Sequence, residues 1–329
     1  MKNLFIVRSP LQLINAIEAK EHFQTKHNVL LIIYTKGKPN NAQIDNLLSL
    51  STWDKIIKIT PPHASSNIMT YVKLIKKLKK EPYEYIVSGD YGTIQRMIIV
   101  NLMKHHVYLV DDGVLSIALH NGILNPNKPV NRPFKQMLRS LRYKFFGLRT
   151  SLTDTINWFT CYELIAHGHE KIIANDYHYL QKSFLDTLEE DNTIYLLGQN
   201  YIATKILDQK TYLGYIQQII AHYEGQHIVY IPHRSEIIFD ELKALFNDNF
   251  TLEPSTGPVE TRFLLQGKYP KNISSFNTSA LFTLAKIFPE CSISSFMLNE
   301  KDIQNKKVET LQAFEFLKRT SIMMSDIFR

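Results

Sequence analysis

The sequence predicts an α/β protein of two domains, each a parallel sheet with helices on both faces. Three observations lead there. Short, continuously apolar runs alternate with longer segments of helical spacing, which is the pattern of strands buried on both faces. The alternation lapses between residues 114 and 190 and then resumes. The chain has 329 residues, 44% of them hydrophobic, which is enough for two cores of ordinary size.

The first series opens with the strand NLFIV (3–7) and the helix PLQLINAIEAKEHF (10–23), with Pro10 near the first turn. Next come strand NVLLIIYT, helix NAQIDNLLSL, strand DKIIKIT and the amphipathic helix NIMTYVKLIKKLKK, whose lysines read as a solvated face. Strand YEYIVSG, helix YGTIQRMIIVNLMK and strand HVYLV complete it. The second series runs from strand TIYLLGQ through helix TYLGYIQQIIAHY, strand HIVYIPH, helix SEIIFDELKALF and strand FTLEP. It continues with helix PVETRFLLQ, strand NISSF, helix SALFTLAKIF, strand SISSFML and a last helical region, KVETLQAFEFLKR. The expected domains are 1–190 and 191–329, with the last helix able to return to the first. There is no solenoid repeat, glycine-rich dinucleotide fingerprint or P-loop lysine.

Composition narrows the function. Charged residues are 21% of the chain, and 12 Gly and 13 Pro are ordinary, so the chain is neither disordered nor fibrous. The net charge of +7 favours polyanionic partners such as nucleic acid, anionic lipid or phosphorylated substrates. The two cysteines, Cys161 and Cys291, lack metal-ligand spacing and sit in apolar stretches. They read as buried thiols rather than zinc ligands or a disulfide framework. Arg8, Ser9 and Pro10 cut short the apolar start, which argues against a signal peptide. No apolar run is long enough to span a bilayer. The expected location is cytoplasmic, with attachment to the inner membrane face open.

Ligands in open parallel sheets bind beyond the carboxyl ends of the strands, and three such ends bear chemistry. The first is Asp111-Asp112-Gly113, after YLV. It admits a turn with a helix cap, a general base, or a magnesium-binding pair. The second is YIPHRSE, with His233 and Arg234. The histidine suits a phosphate oxygen and proton transfer near neutrality, and the arginine suits phosphate. With 12 histidines in the chain, a satisfied loop histidine beside a solvated arginine is the bland alternative. The third is NISSFNTSALF, where Asn277, Thr278 and Ser279 start a helix. They are capping residues, and the same geometry binds phosphate. Upstream, Glu260 in a first helical turn complements the helix dipole or accepts two ribose hydroxyls.

Two such domains facing one another across a cleft form the GT-B-like architecture of nucleotide-sugar transferases. The order of motifs resembles the bacterial sialyltransferases, in particular the lipooligosaccharide sialyltransferase and capsular polysialyltransferase families. Their acidic-acidic-Gly, histidine and Ser/Thr motifs match Asp111-Asp112-Gly113, His233 and Thr278-Ser279. The segments SPLQLINAIEA and SGDYGTIQR, with Ser9, Gln12 and Asp90, also resemble the family's opening and fourth-strand region. One departure is Arg234, where the family usually has proline after the histidine.

The resemblance implies inverting transfer of sialic acid, or a related nonulosonic acid, from a CMP-activated donor to a hydroxyl of a surface glycan. Asp111 is then the general base, and His233 protonates or hydrogen-bonds the departing CMP. Glu260, Thr278, Ser279, Arg234 and Gly113 belong to the donor site. Asp112, Ser9, Gln12 and Asp90 support the acceptor side. CMP leaves with a single phosphate, so no metal is required. The basic stretch NRPFKQMLRSLRYKFFGLR (131–149) suits an anionic membrane, an anionic glycan, or a helix with a core face and solvated charges. Two other classes stay open: a transferase using a UDP- or GDP-sugar, and a basic polyanion-binding protein. For the latter, no nucleic-acid-binding module is recognisable.

Overall fold

The structure, a computed structural model, describes residues 1–35, 38–60, 68–122, 124–125, 141–150, 155–255 and 257–327. It divides into two units, Met1–Tyr179 and Leu180–Arg329. Each is an α/β unit on one parallel sheet, so the fold class is that of two Rossmann-like domains.

In the first unit the strands are β1 (Lys2–Val7), β2 (Asn28–Ile33), β3 (Lys55–Ile59), β4 (Tyr83–Ser88), β5 (Lys104–Val110), β6 (Asn157–Thr160) and β7 (Ile172–Ala174). They lie in the order β3-β2-β1-β4-β5-β6-β7. The helices are α1 (Pro10–His22), α2 (Lys38–Leu47), α3 (Ile68–Leu78), α4 (Thr93–Asn101) and α5 (Leu115–Asn121). All six residues of β2 are buried. In α3, Tyr71, Val72, Leu74, Ile75 and Leu78 face the core while Lys73, Lys76 and Lys77 are exposed, so the lysine face is solvated as expected. Register aligns Val7 with Ile32, Ser88 with Ile6 and Leu109, and Val110 with Phe159. The carboxyl ends of β1, β4, β5 and β6 therefore come level at one edge.

The second unit holds β8 (Glu189–Leu197), β9 (Ile228–Ile231), β10 (Phe250–Leu252), β11 (Lys268–Ser275), β12 (Ser292–Phe296) and β13 (Met323–Ser325), ordered β10-β9-β8-β11-β12-β13. Its helices are α7 (Gln209–His222), α8 (Asp240–Lys243), α9 (Val259–Gln266), α10 (Ala280–Ile287) and α11 (Lys307–Lys318), preceded by α6 (His178–Phe184). In both sheets strand order reverses beside the first strand of the series, between β1 and β4 and between β8 and β11. These are topological switch points.

Several expectations need correction. The units divide within α6 rather than at 190/191. Tyr179 is held by the first unit through its N–H to Glu18 Oε2 (3.2 Å) and its hydroxyl to the Leu50 carbonyl (3.2 Å). Gln181 instead donates to the Lys286 carbonyl (2.7 Å) in the second. The last helix, α11, stays with the second unit, because β13 beyond it pairs with β12. The helix expected over 235–246 shrinks to Asp240–Lys243, because Glu236 turns inward as an acceptor for the loop before it. Cys161 is buried, whereas Cys291 is half-buried, its thiol pushed up to about 12 by burial.

Candidate active site

In the first unit, the level strand ends gather a polar cluster. Ser9 caps α1: its Oγ accepts the Gln12 N–H (3.2 Å) and donates to Asp112 Oδ1 (3.1 Å). Gln12 Oε1 accepts the Arg8 N–H (2.8 Å), and the Gln12 side chain crosses Gly89 so closely that any Cβ there would collide with it. Arg8 Nη1 lies 3.3 Å from Asp90 Oδ2. Gly113 takes φ = 66°, the left-handed conformation that turns the chain from β5 into α5. Thus Ser9, Gln12, Asp90 and Asp112 come together, with Arg8 as an unforeseen member.

The two acids of the pair differ in environment. Asp111 is 1% exposed. Its Oδ1 accepts the Thr160 hydroxyl and its Oδ2 the Cys161 N–H, both at 2.7 Å. Burial pushes its carboxyl up to about 6, opposed by those two bonds. Asp112 is half-buried. Burial raises its pKa, and the Asp90 charge adds to this, while Gln12, Ser9 and Arg8 oppose it. Asp112 does not cap α5 with its carboxylate: its own N–H donates to Ser116 Oγ (2.9 Å), and its side chain goes to Ser9. A buried amide relay holds the pair from behind. Asn15 donates to the Asp111 carbonyl and Asn175 donates to Asn15 Oδ1, each at 3.0 Å.

In the second unit, His233 follows β9, Glu260 follows β10, and Thr278 and Ser279 follow β11. His233 is exposed, and its Nδ1 accepts the Ser235 N–H (3.2 Å). The neutral imidazole therefore carries its proton on Nε2, an assignment made from that bond. Partial desolvation of the ring and then the Arg234 charge lower the His233 pKa. Arg234 is itself exposed. Glu260 is buried, accepts the Thr283 hydroxyl (3.0 Å), and is raised by burial. Ser279 begins α10 without a side-chain capping bond, and Thr278 Oγ1 accepts the Ala280 N–H (3.4 Å). At the switch point, Ser275 Oγ donates to the Leu197 carbonyl (2.7 Å) and accepts Gln199 Nε2 (3.3 Å). Among the described residues, no three His, Cys, Asp or Glu side chains gather as a metal site would.

The family model for alpha-2,8-polysialyltransferase (POLYST) matches residues 3–297. The chain belongs to that family. This polysialyltransferase-family chain is accordingly a glycosyltransferase, and the family implies a nucleotide-sugar donor and a glycan acceptor. No curated protein matches it at significant similarity. Among solved structures it is similar to UDP-GlcNAc 2-epimerase from Methanocaldococcus jannaschii, at 14% identity and TM-score 0.52, over 100% of this chain and 96% of that one. A putative UDP-N-acetylglucosamine 2-epimerase from Listeria monocytogenes is 10% identical, with TM-score 0.52, over 97% and 89%. The S. aureus MnaA-UDP co-structure is 12% identical, with TM-score 0.51, over 97% and 88%. These likenesses show the fold, which is GT-B-like.

Sequence reasoning missed Thr160, Asn15 and Asn175 behind the acidic pair. It also missed Tyr212, Tyr230 and Glu236 behind His233. Glu236 ends the segment YIPHRSE, three residues after the histidine. That close spacing was the available signal.

Proposed function

We propose that the chain transfers sialic acid, or a related nonulosonic acid, from a CMP-activated donor to a hydroxyl of a bacterial surface glycan, with inversion. The observation supporting this most directly is the second unit's strand-end set. A neutral imidazole with its proton on Nε2 and two hydroxyl side chains at a helix start, where Ser279 makes no capping bond, suit one phosphate. Membership of the polysialyltransferase family supports the sugar class.

The acceptor hydroxyl attacks the anomeric carbon, the bond from that carbon to the CMP oxygen breaks, and the phosphate leaves with the bonding pair. The transition state is oxocarbenium-like. Asp111 takes the hydroxyl proton; each of its oxygens keeps a lone pair beyond its present bond. His233 serves as a hydrogen-bond donor more than an acid, because its pKa is lowered. A phosphate monoester titrates near pH 6, so CMP departs without full protonation. Thr278, Ser279 and Arg234 bind the phosphate, Glu260 holds the ribose diol, and Gly113 shapes the turn under the acidic pair. No metal is needed for this chemistry.

Calorimetry with CMP, UMP and GMP tests the donor. The expected result is selective CMP binding that weakens about 10-fold or more in His233→Ala, the loss of a hydrogen bond to a charged group. Preference for UMP would favour the second reading, a UDP-sugar enzyme, which the similarity to UDP-GlcNAc 2-epimerase and to the MnaA-UDP co-structure motivates.

We also propose that the basic stretch meets an anionic membrane on its cytoplasmic face. Residues 131–140 lie outside the described residues. Over 141–145 the chain is helical, with Tyr143 buried. Leu141 is 50% and Phe145 87% exposed, one turn apart and flanked by exposed Arg142 and Lys144. Among the described residues no helix is long and apolar enough to cross a membrane. Leu141→Ser with Phe145→Ser should weaken binding to phosphatidylglycerol vesicles about 10-fold in a flotation assay, since both exposed apolar side chains are lost. Unchanged flotation would remove the membrane role.

A further inference from the structure

Behind the His233 loop lies a half-buried acid that the reaction above does not use. Glu236 Oε2 accepts the His233 backbone N–H (2.9 Å), and the Glu236 N–H donates back to the His233 carbonyl (2.7 Å). This reciprocal pair closes the loop between β9 and α8. Oε1 accepts the Tyr212 hydroxyl (3.0 Å) and the Tyr230 hydroxyl. The two hydroxyls are 2.9 Å apart, and Tyr212 Oη also accepts the Gln199 N–H (3.0 Å). Both tyrosine rings are fully buried. Donors from α7, β9 and the loop after β9 thus converge on one carboxylate, and the turn after β8 reaches it through the Tyr212 hydroxyl.

All the groups bonded to this carboxylate are donors: two hydroxyls and one N–H. Among the described residues no cation pairs with it. The charged and titratable groups around it are Tyr212, Tyr230, His233 and Arg234, which follows His233.

We propose that Glu236 is a positioning residue that holds the His233 loop firmly in its donor-binding shape as a carboxylate and loosens its hold on protonation. The inference rests on the CMP-donor reading for its ligand, not for its loop chemistry. The reason is the count of donors and acceptors. A carboxylate accepts from every neighbour. Once protonated, the acid must present a hydrogen to one of them. The tyrosine hydroxyls can rotate to accept it, but the His233 N–H cannot. The charge-assisted bonds to the loop weaken in either case. Burial supports a switch in the working range, since it pushes the Glu236 carboxyl up to about 7. A glutamine at 236 imitates the protonated state.

Two measurements test this. The first needs no ligand: amide exchange of the 233–237 segment by mass spectrometry, corrected for intrinsic rates, at about pH 8 and about pH 6. Wild type should be about 10-fold better protected at the higher pH, as expected for a charge-assisted hydrogen bond, and Glu236→Gln should show no pH difference. Equal protection of wild type at both pH values would overturn the proposal. Tyr230→Phe removes one donor and should move the wild-type midpoint to higher pH, which keeps the test alive if the glutamine variant misfolds.

The second is CMP calorimetry on wild type and Glu236→Gln. The ratio of the two dissociation constants cancels the titrations of CMP and of His233. It should fall from about 10 at high pH to about 1 at low pH, as linkage to the missing proton site requires. A constant ratio would mean a purely structural role and would sink the idea. Absence of CMP binding with the exchange difference intact would instead remove the donor reading and leave the loop switch standing.

Discussion

Asp111→Asn should abolish most transfer while making the protein more stable at neutral pH. The catalytic loss is expected at about 10²–10⁴-fold in kcat, the usual worth of a positioned base. The stability gain follows from burial. The Asp111 carboxyl titrates near 6 in the fold, above its ordinary 3.8, so the native state holds the proton more tightly than the unfolded chain does. Ionisation therefore costs native stability. The cost is absent below about pH 4, grows as pH rises to about 6 and is complete above it, at about 3 kcal/mol for a shift of this size. Asparagine escapes that cost and fits the site: its carbonyl faces the Cys161 N–H and its amide donates to Thr160 Oγ1. Melting curves at pH 8 and pH 4, paired with a CMP-release assay, read both effects. Loss of activity in Asp112→Asn with turnover retained in Asp111→Asn would move the base role to the more accessible Asp112. An unfolded Asp111→Asn would mean that the charge itself is structural.

Gly198→Ala is expected to be the most damaging single methyl in the second unit. A Cβ at Gly198 would collide with Glu236 Oε2 and the Tyr230 hydroxyl, and would lie 2.7 Å from Tyr230 Cζ. The backbone cannot yield easily, because the Gly198 N–H is bound to the Ile231 carbonyl (2.8 Å). Tyr230 has no exposed space to enter, so Glu236 must swing away and leave two hydroxyls and the His233 N–H without their acceptor. Overpacking of this kind costs about 1–3 kcal/mol. Loss of the loop anchor should weaken CMP binding about 10-fold, as for a bond to a charged acceptor. Thermal melts and calorimetry measure the two effects separately. A variant equal to wild type in both would show that the cluster gives way freely.

Strands were legible wherever an apolar run stands between helical segments. NVLLII and IVYI announce buried strands, and each was found where its pattern placed it. Strands β6, β7 and β13 were not foreseen, because NWFT, IIA and MMS are too short to show a period. The site was legible as residue types at strand ends. What gives those residues their properties was not. Thr160 and Asn175 are ordinary polar residues in sequence, and only pairing of β6 beside β5 brings Thr160 to Asp111. Glu236 fell within the expected helix SEIIFDELKALF because DELKALF beyond it has helical spacing. Two buried tyrosine hydroxyls, with the neighbouring His233 N–H, overrode that helical preference.

The acidic pair is completed by partners that lie far along the chain. Thr160 is 49 residues after Asp111, and Asn175 is 160 residues after the Asn15 it bonds. During synthesis the strands β1 to β5 leave the ribosome with Asp111 and Asp112 already at their edge, before the groups that satisfy Asp111 have been translated. Non-local contacts of this kind form late. The first unit can therefore assemble much of its sheet before its acidic site is completed by β6 and the 175–177 turn. The nascent N-terminal half is chemically incomplete until that segment has been made.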